Sequence, residues 1–226
     1  MNNQKIVGYS LRSQDNDSYM FPEDMSLVIR RNAQIRLKDY ESGAVLELPE
    51  ITALDKEQNR CPFCGYRLNF HPHNPRYKVR NKLTDISVTY DGQTIVSTKF
   101  KKFCEENKLE GIIFRGFESD KNCFQMVVTR EIEFDAARRK TRFEHFCPVC
   151  KNYESVVGAD PTYLSTSIPL SSGIFRTNLL FASGNEKHPL FLVSIDTKSK
   201  LEKSKLIGSE FSPAYGNEAT NSDEGK

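Results

Sequence analysis

The sequence contains no tryptophan, four histidines and four methionines, and no apolar run long enough to span a bilayer. Its opening stretch, Met1 to Ser10, lacks the apolar centre of a secretory signal. These absences point to a cytoplasmic protein without a membrane partner. A surplus of charge is also missing: 32 Lys and Arg stand against 30 Asp and Glu, for a formal net charge of +2. That balance argues against nucleic-acid binding through bulk electrostatics and leaves room only for a local basic face. Gly-x-Ser-x-Gly and glycine-rich phosphate loops are absent, and Gly65, Gly92 and Gly111 stand alone. Asp85, Asp91 and Asp135 are acids that only the fold could bring together as a pair.

What is present is the composition of a folded globular chain. Hydrophobic residues make up 38% and charged residues 27% of 226 positions, enough for a real core. Six cysteines in a reducing compartment favour metal or thiol chemistry over disulfides.

Four of the six form two copies of one pattern. Cys61-Pro62-Phe63-Cys64-Gly65 and Cys147-Pro148-Val149-Cys150-Lys151 both read Cys-Pro-x-Cys. Two residues between cysteines let one tight turn present both sulfurs to one ion, and proline fixes φ after the first. Glycine after the second tolerates the turn geometry that aims backbone N–H groups at the thiolates. Lys151 departs from that glycine, but a cation beside a tetrathiolate is electrostatically sensible. The expectation is one structural zinc ion on Cys61, Cys64, Cys147 and Cys150, with no coordination position left for catalysis. The gap between the pairs far exceeds that of an ordinary ribbon, so a whole substructure is inserted between the knuckles. His71, His73 and His145 flank the pairs in sequence but are surplus to a metal with four thiolates. Cys104 reads as a core residue, and Cys123 is assigned no role.

Met25 to Ile29 is compatible with strand or helix, and Val45 to Leu48 reads as a short strand closed by Pro49. His71 to Pro75 reads as a loop rich in breakers. Ile86 to Tyr90 alternates like a half-buried strand, and Asp91-Gly92 is a turn signal. Ile95, Val96, Phe100, Phe103 and Cys104 recur at helical spacing, which predicts a helix over 97–108 stopped by Gly111. Further strands are expected at Ile112 to Phe114, Phe124 to Val128, Ile132 to Phe134, Arg142 to Phe146, Phe175 to Phe181 and Leu190 to Ile195. A Lys-rich helix is expected from Thr197 to Leu206, closed by Gly208, and His188-Pro189 reads as a surface turn. The basic run Arg138-Arg139-Lys140-Thr141-Arg142 reads as a solvated hairpin more readily than as a phosphate-binding patch.

The order of these features resembles the bacterial double-CxxCG proteins, found as immunity proteins of polymorphic toxin systems. The resemblance rests on the first Cys-Pro-x-Cys-Gly, the strand Asp85 to Thr89, Ile95-Val96-Ser97 before a helix, Gly111-Ile112-Ile113-Phe114 and the second Cys-Pro-x-Cys. It covers roughly residues 55 to 210. It implies a cytoplasmic, non-catalytic protein that binds and neutralises a cognate toxin, with Cys61, Cys64, Cys147 and Cys150 as zinc ligands. The residue reading leaves two alternatives standing, a zinc-ribbon nucleic-acid binder and an enzyme stapled by the ribbon.

The expected fold is α+β: a mostly antiparallel sheet, a few short helices and one zinc ribbon formed by two distant Cys-Pro-x-Cys knuckles. Residues 1–55 are expected to be an N-terminal segment packing on the main domain, 56–215 that domain, and 216–226 a disordered tail.

Overall fold

A computed structural model describes residues 4–21, 60–80 and 82–217. The expected segments Met25 to Ile29 and Val45 to Leu48, the remainder of 22–55 and the tail beyond Asn217 lie outside the described residues.

The chain is mixed α/β, with twelve strands among the described residues in one large, mostly antiparallel sheet. The strands are β1 (Ile6–Asp15), β2 (Ile86–Val88), β3 (Thr94–Ser97), β4 (Ile112–Gly116), β5 (Cys123–Val128) and β6 (Glu131–Ile132). They continue with β7 (Arg142–Phe146), β8 (Tyr153–Val157), β9 (Thr162–Tyr163), β10 (Ile174–Ser183), β11 (His188–Val193) and β12 (Ser209–Tyr215). Three α-helices lie among the described residues: α1 (Thr98–Glu106), α2 (Ala136–Arg139) and α3 (Ile195–Lys203).

The main strand order is β4-β5-β3-β2-β1-β11-β10-β8-β7, with β12 also on β1, β9 on β12 and β6 on β10. β1 sits inside this order, antiparallel to β11 and β12 and parallel to β2. The described part of the N-terminal segment is thus integral to the sheet. At the other end, Gly216 N–H donates to the Lys5 carbonyl and Asn217 N–H to that of Thr166. Parallel pairs join β10 to β6 and β12 to β9, a departure from all-antiparallel pairing made possible by the long connections between them.

The largest core cluster packs α1 and α3 on the sheet. Phe100, Phe103 and Cys104 of α1 meet Leu11, Ile86, Val96, Met126, Val128 and Leu201. Cys104 is a core residue, as expected. Ser97 caps α1, its hydroxyl accepting from Phe100 N–H at 3.1 Å, and also donates to Asp85 at 2.6 Å. Phe100 has no exposed surface. Phe100→Ala should cost about 3–5 kcal/mol, read as a shift in the urea midpoint, because the cavity cannot collapse under two layers; a loss below about 1 kcal/mol would contradict this packing.

Several expectations are corrected. Ile95 and Val96 belong to β3, not to the helix; their apolar spacing is that of a strand buried on both faces before the Ser97 cap. α1 is stopped not by Gly111 but by Asn107, whose side chain donates to the Phe103 carbonyl at 2.9 Å, and by Lys108 at φ 52°. Pairing of the sixth strand ends at Ile132, while Phe134 makes only an isolated bridge to Leu164. His188-Pro189 opens β11 and is not a turn, because the preceding Gly184–Glu186 3-10 turn already reverses the chain. The second long helix begins at Ile195, two residues earlier than expected, because Ser194 caps it by accepting from Thr197 N–H at 3.0 Å. It ends at Lys203, with Ser204 as cap.

The basic run is also not a hairpin. Arg138 and Arg139 lie in the single turn of α2, capped by Asp135 and closed by Lys140 in a left-handed conformation. Arg138 donates to the Gly216 carbonyl at 2.9 Å and lies 4.3 Å over the Tyr163 ring, so it serves the packing of the segment that follows β12.

Candidate metal centre

The two knuckles repeat one local structure. In the first, Gly65 N–H donates to the Cys61 carbonyl and Cys61 N–H to the Tyr66 carbonyl, both at 2.8 Å, and Arg60 bridges Arg67. In the second, Lys151 N–H donates to the Cys147 carbonyl at 2.9 Å and Cys147 N–H to the Asn152 carbonyl at 2.8 Å, while Phe146 pairs with Tyr153. Each knuckle is therefore the tip of a small antiparallel pair. The second joins β7 to β8.

Gly65 has φ 70° and Lys151 φ 59°, so the position after the second cysteine is left-handed in both copies. Glycine meets that demand freely, whereas Lys151 meets it at a cost of about 1–2 kcal/mol. The turn is thus maintained by something beyond local preference.

The fold brings the two tips together across 86 residues. Cys61 Sγ lies 3.9 Å from Cys147 Sγ, and Cys64 Sγ 3.6 Å from Cys150 Sγ. All four sulfurs lie within 4.8 Å of one another, and together they could hold one metal ion. Both cross-knuckle distances far exceed the roughly 2.05 Å of a disulfide, and all six cysteines are free thiols. Cys61 and Cys147 are 1% and 2% exposed, while Cys64 and Cys150 are half-buried. Phe63, Tyr66, Leu68 and Val149 form an apolar shell around them.

The hydrogen bond with Cys147 pushes the Cys64 thiol up and pulls the Cys150 thiol down. Four thiols this close invite a cation, which relieves the repulsion among thiolates.

No family model matches this chain, and no curated protein matches it. The site is therefore read from its own residues.

No histidine joins the cluster among the described residues. His73 Nδ1 bonds Gln125 Oε1 at 2.9 Å, and the His71 carbonyl accepts from Arg115 at 2.7 Å. Burial, aided by Arg176 and Arg115, holds the His71 imidazole below its usual 6.5. His145 is exposed at φ 56° in β7. Its left-handed turn interrupts the strand alternation, and Phe143 and Phe146 both reach Tyr153, each with ring centroids 5.1 Å away.

The three acids do not form a pair; each has its own partners. Asp85 accepts from Ser97 and from Ile207 N–H, Asp135 caps α2, and Asp91 ties the first knuckle to the sheet. Asp91 is 1% exposed. Its carboxylate accepts from Thr89 Oγ1 at 2.6 Å, Met20 N–H at 2.9 Å and Phe21 N–H at 3.2 Å, and lies 3.7 Å from Arg67. Arg67, three residues beyond Cys64, also donates to the Asp91 carbonyl at 3.0 Å. Further along, Gln125 donates to the Pro72 carbonyl at 2.7 Å and to Gln93 Oε1 at 2.8 Å. The segment after the first knuckle is thus fixed to β5 and to the β2–β3 turn by buried polar contacts.

Sequence reasoning missed Lys187. It lies between the 3-10 turn and β11, is 9% exposed, and places Nζ 4.0 Å over the Tyr66 ring while donating to the Tyr153 carbonyl. Burial pulls its ammonium down to about 8, opposed by the charges of Cys150, Cys64 and Glu154. A lysine in a short polar stretch carries no signal of burial; the sheet topology puts it there.

Proposed function

We propose that Cys61, Cys64, Cys147 and Cys150 hold one zinc ion in a closed structural site, forming a zinc ribbon from two distant knuckles. We further propose that the chain is a non-catalytic protein-binding module of the double-CxxCG immunity type, acting in the cytoplasm to bind and neutralise a cognate bacterial toxin. The observation that carries the zinc reading is the sulfur geometry. A tetrahedron with zinc–sulfur bonds of about 2.3 Å has sulfur–sulfur edges of about 3.8 Å. The cross-knuckle distances of 3.9 and 3.6 Å bracket that value. Four protein thiolates fill the coordination sphere of zinc, so the ion binds no substrate and acts by joining the knuckles.

The binding reading draws on what the ion would fix in place. Among the described residues β7 is the sheet-edge strand that runs into the second knuckle, and every residue of it is exposed. Phe143 and Phe146 stand beside Arg142 and Glu144, the aromatic-within-charged composition that protein interfaces use. The nucleic-acid alternative loses support, since Arg138 of the basic run is engaged by Gly216 and Tyr163. No helix among the described residues is long and apolar enough to cross a membrane.

The test is isolation of the tagged protein from its native cells with and without nuclease, followed by mass spectrometry of what accompanies it. A stoichiometric protein that survives nuclease, and whose toxicity the chain suppresses when the two are co-expressed, is the expected result. Nucleic acid without such a protein would overturn the inhibitor reading.

A further inference from the structure

We infer that Lys187 is the resident counter-cation of the four-cysteine centre, setting how firmly it holds a divalent metal and how slowly its sulfurs meet electrophiles. This rests on the zinc reading above. Zinc on four thiolates carries a net charge of −2, and here two of the sulfurs are almost fully buried. A buried charge is costly unless other charges and N–H donors offset it. The Cys64 and Cys150 amides supply partial charges, donating to the Cys61 and Cys147 sulfurs at equivalent positions of the two turns. Lys187 supplies a whole one.

Its placement is specific to the centre. Nζ donates to the carbonyl of Tyr153, whose residue pairs with Phe146 just before Cys147. The same ammonium lies over the ring of Tyr66, whose carbonyl takes the Cys61 N–H. One cation therefore touches the flank of each knuckle and sits where Cys64 and Cys150 attract it. Among the described residues no carboxylate forms an ion pair with it, whereas the buried Arg67 beside the first knuckle is already matched by Asp91. The backbone is held as well: the Lys187 carbonyl lies 3.0 Å from where a side chain at Gly92 would begin, so the β2–β3 turn closes over it. A buried ammonium that Cys150 and Cys64 attract together with Glu154, and that no carboxylate pairs among the described residues, is a charge-balancing group and acts on the metal through the sulfurs.

Three variants separate charge from packing. Lys187→Met removes the charge and the donor, Lys187→Gln removes the charge and keeps a donor for Tyr153, and Lys187→Arg keeps the charge. Zinc affinity is measured by competition with a chromophoric chelator, and sulfur reactivity by the rate of N-ethylmaleimide-driven zinc release. Both neutral variants should bind zinc about 10-fold or more weakly and release it correspondingly faster, with Arg within about threefold of the parent. The charge-transfer band of the cobalt-loaded protein should shift in the neutral pair alone. Neutral variants that match the parent in affinity and release would overturn the inference while leaving the zinc reading intact. A parent protein that binds no zinc would instead remove the reading on which it rests. Should Lys187→Met not fold, the Gln and Arg pair decides the matter.

Discussion

Cys147→Ser should lose stoichiometric metal and lower the melting temperature by roughly 10–20 °C, the equivalent of about 5 kcal/mol in a chain of this size. Structural zinc in small peptides contributes about 10–16 kcal/mol of apparent binding energy, all of it coupled to folding. Here the main core lies elsewhere, around α1 and α3, so only part of that energy should appear in the melting transition. The loss should be local. Hydrogen exchange should rise across 60–80 and 142–157, the two segments that carry the cysteines, while β1, β5 and β11 keep their protection. A chelator strong enough to strip the metal should give the same map in the parent protein. Cys104→Ala is the control: it empties a core position of α1 and should leave metal content at the parental value. Equal metal content in Cys147→Ser and parent would show that the four sulfurs do not act as one site.

Asp91→Ala should cost about 3–5 kcal/mol, because it strips the buried Arg67 guanidinium of its carboxylate and withdraws the acceptor from three other donors. In melting terms that is roughly 6–20 °C. The effect should persist with the metal site fully loaded, since Arg67 fixes the first knuckle to the sheet independently of the ion. Asp91→Asn should fall between, because an amide still accepts from Thr89 but cannot neutralise Arg67. Urea denaturation in excess zinc measures both. A change below about 1 kcal/mol for Asp91→Ala would mean that the Arg67 contact is not what anchors the knuckle.

The part of the centre written in local chemistry could be read directly. Cysteine spacing, the proline after each first cysteine and the doubling of the pattern placed Cys61, Cys64, Cys147 and Cys150 together, and the sulfurs do meet. Strands with clear alternation or β-branched runs, such as Phe124 to Val128 and Arg142 to Phe146, also emerged close to their observed bounds. The errors have one physical origin. Ile95 and Val96 fit a period of 3.6 with Phe100 and so read as part of the helix's apolar face, yet β3 is covered on both faces and reads as a continuous apolar run. Capping decided the helix ends, through the Ser97 and Ser194 hydroxyls and the left-handed Lys108, where the more visible Gly111 and Gly208 pointed several residues too far.

What could not be read was everything that depends on pairing distant segments. Asp91 carried the signature of a turn, but nothing local reveals that Arg67 sits against it from 24 residues away. Lys187 is one of many lysines, and only the β10–β11 connection delivers it to the cysteines. The central place of β1, between β2 and β11, is likewise a property of topology, since its own run of mixed polar and apolar residues looks peripheral.

The measurement that bears most directly on the account is native mass spectrometry of the purified chain, paired with elemental analysis. One zinc ion per chain, with all six cysteines reduced and none in a disulfide, is the predicted result. A chain that carries no metal, or whose Cys61–Cys147 and Cys64–Cys150 pairs are joined as disulfides under reducing conditions, would contradict it.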